Sequence, residues 1–186
     1  PLFTPDEWLG RTLNKVKFLG SKKIRNIIYI LGFIGLFFVI QQFENFTKTF
    51  LYFFSFKGLM IYFITLVFVK CLHELGHAYI AKYHGCRVSA IGIAFLVFFP
   101  FLYTDTTDAW RLRNHKDRLL INFAGILTEL HLALIATFVW GVLPEGGLKS
   151  AAFFIATTSW ISSIAINVSP FMRFDGYYVF SDWLKA

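Results

Sequence analysis

Residues Gly58–Ala81 read GLMIYFITLVFVKCLHELGHAYIA. The stretch is apolar almost throughout its first half. At 1.5 Å per residue, a helix of this length crosses the roughly 30 Å hydrocarbon layer of a bilayer. It therefore predicts a membrane-spanning helix, and the polar motif His73-Glu74-Leu75-Gly76-His77 lies inside that helix.

The motif has the spacing HExxH. Residues four apart on a helix lie on one face, about one turn apart, so two imidazoles can reach one zinc ion. The glutamate on the flank of this face can take a proton from a metal-activated water. The alternative is a pair of surface histidines on an amphipathic helix. The apolar context favours the metal site, because ionisable residues inside a membrane helix are costly and usually functional.

The composition agrees with a membrane protein. The 186-residue chain is 56% hydrophobic and 16% charged, whereas soluble domains carry about 25% charged residues. The net charge of +7 does not indicate nucleic-acid binding, since the basic residues flank apolar spans instead of forming one face. Two cysteines are too few for a disulfide framework.

We expect an all-α polytopic membrane protein with about four transmembrane helices. The predicted spans are Ile24–Ile40, Gly58–Ala81, Leu119–Trp140 and Ala151–Val168. A further apolar stretch, Ile91–Tyr103, is too short to span the bilayer and contains a proline. It predicts a short re-entrant segment or β-hairpin.

The basic residues predict the orientation. Six lie in Arg11–Arg25 and six in Lys82–Arg118, against two in the loop after the first span and one after the third. The positive-inside rule then assigns both basic segments to the cytoplasm. The HExxH motif is expected a few turns inside the cytoplasmic surface.

A catalytic zinc needs a third protein ligand. The candidates are His84, His115 and His131, and the carboxylate Asp175. The first two lie in basic loops and are more simply interpreted as solvated histidines. Asp175 follows the fourth span, and the topology brings it to the depth of the HExxH motif, although an ordinary loop aspartate before a turn has the same pattern.

The combination of HExxH in one membrane helix with a later N-x-x-P-x-x-x-x-D-G resembles the site-2 protease (M50) family of intramembrane zinc metalloproteases. The second motif runs from Asn167 to Gly176. The resemblance implies Zn²⁺ held by His73, His77 and Asp175, with Glu74 as general base and acid. It also implies that Asn167 helps to position substrate or holds the ligand loop, and that a peptide bond of a membrane protein or peptide is cleaved near the cytosolic leaflet.

The stretch Tyr103–Leu112 resembles the peptide zinc metalloprotease branch, which accompanies export or maturation of small bacterial peptides. This resemblance implies a bacterial cytoplasmic membrane. We expect three regions: a cytoplasmic basic region (1–23), the first transmembrane helix with an external loop (24–57), and the metalloprotease core (58–186). The chain is expected to be a fragment of a longer protein; the oligomeric state is left open.

Three other carboxylates each have a functional and a structural interpretation. Glu129, inside the third span, could pair with His131, Lys70 or a substrate group, or belong to a structural buried polar pair. Asp105 and Asp108 fit either a substrate-contacting site or turn and helix-capping chemistry.

Two rival functions remain at this stage. A non-proteolytic membrane scaffold, or a peptide maturation or export partner, would keep zinc for stability. A metal transporter would need polar residues aligned across the bilayer, and outside the HExxH region the spans contain mainly Glu129 and His131.

Overall fold

The computed structural model describes residues 4–51, 54–96, 99–167 and 176. The helices and strands are α1 (Asp6–Val16), α2 (Lys22–Gln41), α3 (Phe43–Leu51), α4 (Phe56–Tyr83), β1 (Ile91–Leu96), β2 (Phe99–Thr104), α5 (His115–Val142) and α6 (Gly147–Ile161). Short 3-10 helices occupy Lys17–Gly20 and Thr107–Arg111, and a π-helical segment, Ser162–Asn167, follows α6.

Three helices in the described residues are long and apolar enough to cross a membrane. They are α2, α4 and α5. Each contains one of the first three predicted spans and extends beyond it by a few residues at each end. The expected fold class, an all-α membrane protein with a small β-hairpin, is confirmed.

The fourth predicted span takes a different form. The chain is α-helical only over the fifteen residues of α6, and Ser162–Asn167 then widens into the π-helical segment. Most of α6 is buried, including Phe153, Phe154 and Thr158. Its apolar side chains are therefore covered largely by protein. The predicted end at Val168 lies outside the described residues.

The short apolar stretch before α5 forms the expected hairpin. β1 pairs antiparallel with β2, with Ile91 opposite Thr104 and Phe95 opposite Pro100. Pro100 has no N–H to donate, which is tolerated because each strand of the sheet pairs on only one side within the described residues.

Packing divides the described chain into two units. The first contains the residues up to Gly20 and Lys70–Thr128. Its core is a cluster of small and branched apolar side chains drawn from α1, α4, the hairpin region and α5: Leu9, Ala78, Ala81, Cys86, Val88, Ile91, Ala109 and Ile121. This core fixes the C-terminal half of α4, which carries the HExxH motif.

The second unit contains Ser21–Val69 and Glu129–Ala165. Here α2 lies close against α5 because glycines remove side chains from the contact. A Cβ on Gly35 would meet the backbone of Phe138, and a Cβ on Gly141 would meet the Phe38 ring. Small residues of this kind allow helices to associate in lipid.

The amphipathic helix α1 is attached to the end of α4. Both carboxylate oxygens of Asp6 accept hydrogen bonds of 2.8 Å from Lys82 Nζ, and one also accepts from the Val88 N–H at 3.0 Å. Thr12 and Tyr79 share a hydroxyl hydrogen bond of 2.9 Å. These contacts hold the N-terminal region against the motif-bearing helix. The hydrogen bonds to the Asp6 carboxylate, from Lys82 first, hold its pKa below the usual value.

This lowered pKa predicts an acid-sensitive contribution to stability. The stabilisation by the Asp6 carboxylate is complete above the unfolded-state pKa of about 3.9. It is lost as the pH falls through the lower pKa of Asp6 in the folded state. Asp6→Asn should therefore lower stability by about 1–2 kcal/mol at neutral pH, with the difference shrinking below about pH 4. Thermal unfolding in detergent between pH 3 and 7 measures it. Glu7→Gln is the control, because the Glu7–Arg11 pair is exposed. If the difference in stability between wild type and Asp6→Asn did not change with pH, the proposed contribution of the Asp6 carboxylate would be contradicted.

Candidate metal centre

The two histidines of the motif point at one another inside the first unit. His73 and His77 are 4% and 8% exposed, and their Nε2 atoms lie 3.2 Å apart. The helical spacing brings the rings onto one face of α4, with ring centroids 4.9 Å apart. The sequence prediction that these two imidazoles converge agrees with this geometry.

This arrangement fits a shared metal ion. Two nitrogens that each bind a tetrahedral zinc at about 2.0–2.1 Å lie about 3.3 Å apart. His77 Nδ1 lies 2.8 Å from the carbonyl oxygen of Ile121. Because a carbonyl only accepts, Nδ1 carries the proton, and Nε2 is left with the lone pair that a metal requires. The Ile121 carbonyl thus selects the metal-binding tautomer of His77.

A glycine on α5 faces the histidine pair. A Cβ built on Gly125 would overlap with the Nε2 atoms of both His73 and His77. Because Gly125 has no side chain, α5 does not fill the position next to the two nitrogens, where an ion would bind both. The nitrogen pair, the tautomer of His77 and this glycine together fit a zinc ion.

Glu74 is half-buried on the flank of the same face. Its backbone carbonyl accepts a hydrogen bond of 3.1 Å from Thr104 Oγ1, at the end of β2. The hairpin is thereby tied to α4 at the residue predicted to transfer protons.

The predicted third ligand is not among the described residues. Asp175 lies outside them, and within the described ranges no group of three His, Cys, Asp or Glu residues could hold a metal. Asn167 is the last residue of the π-helical segment after α6. The roles of Asp175 and Asn167 stay predictions.

The remaining histidines occupy other environments. His84 Nδ1 lies 3.7 Å from an Asp117 oxygen, His115 Nδ1 lies 3.3 Å from an Arg118 nitrogen, and the His131 ring packs on Tyr29 with centroids 5.6 Å apart. Each therefore has a local contact that does not involve the motif.

Glu129 is fully buried. Its carboxylate accepts hydrogen bonds of 3.2 Å from Ser162 Oγ and from Ser163 Oγ, one to each oxygen. These serines were not among the predicted partners. The predicted span contains five hydroxyl residues, Thr157, Thr158, Ser159, Ser162 and Ser163, and nothing in the sequence distinguishes the last two as partners of Glu129.

The two loop aspartates serve local structure. Asp105 accepts from the backbone N–H and the hydroxyl of Thr107, and these bonds lower its pKa. Asp108 accepts from the Arg87 N–H at 2.8 Å and from the Arg111 guanidinium at 2.9 Å, which lowers its pKa as well. Asp108 lies inside the 3-10 helix and is not its N-cap, so the capping prediction is wrong for this residue.

Comparison with known proteins gives one family and one curated relative. The model of Peptidase family M50 matches residues 59–177. The Bacillus subtilis (strain 168) protein named "Putative peptide zinc metalloprotease protein YydH" is 25% identical over 128 residues, which cover 68% of this chain and 48% of that protein. The chain thus spans about half the length of this relative. No solved structure matches the chain.

The close contact between α4 and α5 can be tested at Gly76. A Cβ there would overlap with Thr128 Oγ1 and approach the Ala124 carbonyl oxygen to 3.0 Å. Gly76→Ala should cost about 1–3 kcal/mol of stability, and adding Thr128→Ala should recover part of the loss. Thermal unfolding of both variants in detergent measures the effect.

The matched control is Gly147→Ala. Gly147 is also helical, and no atom of the described residues lies within 4 Å of a Cβ built there. This variant should be neutral or slightly stabilising. Equal changes in stability for Gly76→Ala and Gly147→Ala would show that the close contact with α5 does not determine the effect of the Gly76 substitution.

Proposed function

Because the chain belongs to peptidase family M50, we propose that it is an intramembrane zinc metalloprotease of the site-2 type. It would hydrolyse a peptide bond in a membrane protein or membrane-associated peptide. The observation that carries the proposal is the buried His73–His77 pair, with Nε2 atoms 3.2 Å apart opposite a glycine that leaves space for an ion. The name of the YydH relative gives the same class of activity.

The metal would be held by His73, His77 and Asp175. The first two have the separation and, for His77, the tautomer that zinc requires. Asp175 is proposed from the D-G end of the second motif, which follows the π-helical segment. A zinc ion in such a site acidifies a water molecule to a pKa near 7 and polarises the carbonyl that is attacked.

Glu74 would move the protons. Its position beside His73 on α4 brings its carboxyl to the flank of the histidine face. It would accept the proton of the attacking water and then deliver it to the leaving amine, as general base and general acid in turn. The hydrogen bond from Thr104 to its backbone carbonyl fixes this part of α4 relative to the hairpin.

The hairpin is a candidate surface for the substrate. A helical substrate must unwind before its carbonyls can be attacked, and an unwound strand can add to a free sheet edge. β1 and β2 form a two-stranded sheet within the described residues, and β2 ends at the Thr104–Glu74 contact. We place the cleaved bond beside this edge, with Asn167 helping to position the substrate.

The charge pattern supports an orientation. The basic residues before α2 and between α4 and α5 would face the cytoplasm. The histidine pair lies in the half of α4 that leads to the second of these segments. The active site would then be near the cytoplasmic side of a bacterial cytoplasmic membrane.

The metal assignment predicts the zinc content. Purified chain should hold about one zinc ion, and His73→Ala and Asp175→Ala should each lose most of it. Gly125→Ala removes no ligand, yet its added methyl would occupy the space beside both nitrogens, so it should lose zinc as well. Atomic absorption on detergent-purified protein measures this. Gly147→Ala, whose Cβ meets nothing within 4 Å, should keep the metal.

Zinc that survives Asp175→Ala would remove the proposed third ligand. Zinc that survives Gly125→Ala would show that the ion does not lie where α5 approaches the histidines.

The proton-transfer role predicts a different phenotype for Glu74→Gln. The isosteric amide cannot take the proton, so cleavage should fall by at least about 10²-fold, while the zinc content stays near that of the wild type. Cleavage of a membrane-anchored reporter peptide in proteoliposomes measures the rate.

Full activity of Glu74→Gln would refute this mechanism. A zinc-loaded wild type that cleaves no membrane peptide would instead favour the non-proteolytic scaffold or the maturation partner.

A further inference from the structure

A cavity of about 380 Å³ lies at the start of α5 in the first unit. Its walls come from the end of β2, the turn and 3-10 helix that follow, and the first two turns of α5. Thr104, Trp110, Arg118 and Asn122 are among the lining residues. Because Thr104 also binds the Glu74 carbonyl, the cavity begins next to the residue proposed to transfer protons.

Arg118 supplies the positive charge of this cavity. One guanidinium nitrogen donates to the Leu112 carbonyl at 2.8 Å, and another lies 3.3 Å from His115 Nδ1. Its Nε atom is buried and has no hydrogen-bond partner among the described residues. No carboxylate of the described residues lies within ion-pair distance of Arg118. A partly buried cation with an unused donor is a costly arrangement unless an anion binds there.

Asp105, on the same wall, is not this anion. Its carboxylate accepts hydrogen bonds from the N–H and hydroxyl of Thr107 and interacts with the Ser89 side chain. Arg118 lies in the first turns of α5, where the helix dipole is positive. The dipole thus adds to the charge of Arg118 and strengthens the attraction for an anion.

The position of Arg118 sets a distance from the histidine pair. Arg118 and Gly125 are seven residues apart on α5, which places them on nearly one face and about 10 Å apart along the helix axis. An extended peptide covers about 10 Å with three residues. A group bound at Arg118 could therefore belong to a peptide whose attacked bond lies at the histidine pair.

We propose that this cavity binds a carboxylate of the peptide substrate, about three residues from the cleaved bond, with Arg118 as its main ligand. The inference rests on the proposed peptidase function for the identity of the ligand. Arg118 offers the fork of donors that carboxylates bind in a bidentate manner. Asn122, one turn further along α5, supplies an amide beside it. The carboxylate is either an acidic side chain or the C-terminus of the peptide.

The test is a binding measurement that does not require cleavage. The full chain carrying Glu74→Gln is titrated in detergent, by calorimetry, with two blocked alanine–leucine hexapeptides that end in glutamate or in glutamine. The glutamate peptide should bind about tenfold more tightly. Arg118→Gln should remove this preference, and Arg118→Lys, which keeps the charge, should retain part of it. A glutamine peptide with a free C-terminus distinguishes the two sources of carboxylate.

Arg113→Gln is the matched control. Arg113 is an exposed arginine just before α5 that does not line the cavity, so its loss should leave the preference for the glutamate peptide intact. Equal affinity for the peptides, no binding of any of them, or a preference that survives Arg118→Gln would overturn the proposal. The proposed peptidase function fails by a separate result, the absence of zinc-dependent cleavage, which leaves this binding test unaffected.

Discussion

The close approach of α4 and α5 is the constraint on which the site depends. In lipid, helices gain little from the hydrophobic effect, so their association relies on van der Waals packing and hydrogen bonds between small residues. Gly76 removes a side chain where α4 meets Thr128, and Gly125 removes one where α5 meets the two histidines. Each of the two helices therefore contributes a glycine to the contact. Gly76 belongs to the HExxH motif, and Gly125 lies against the two histidines of that motif.

This contact also determines the chemistry of the histidines. Only when the backbone of α5 lies this near can the Ile121 carbonyl accept from His77 Nδ1, which leaves the lone pair of the ring on Nε2, where a metal would bind. The same packing that stabilises the helix pair therefore selects the tautomer. Thr104 attaches the hairpin to Glu74, so the residue proposed to transfer protons and the end of β2 share one support.

Sequence reasoning predicted the elements better than their contacts. Long apolar runs fix helix positions because they must match the bilayer thickness, and α2, α4 and α5 each enclose their predicted spans. Periodicity says which residues share a face of one helix, but not which residue of another helix lies opposite. The serines that bind Glu129, the carbonyl that orients His77 and the Thr104–Glu74 contact could not be predicted for this reason. Asp175 lies outside the described residues, so its role as third ligand stays a prediction.

Helix α5 shows why a membrane span of this kind carries polar residues. Arg118, Asn122, Gly125 and Glu129 follow one another at intervals of four, three and four residues, which is the spacing of a single helix face. Along this stripe the first two line the cavity, Gly125 faces the histidine pair, and Glu129 binds the serines that begin the π-helical segment. That segment leads along the chain towards Asp175. One face of one helix therefore supports the proposed substrate contact, the position beside the proposed histidine ligands, and the start of the π-helical segment that precedes Asp175 in the chain. A substitution on this face would therefore affect several of these proposed functions at once.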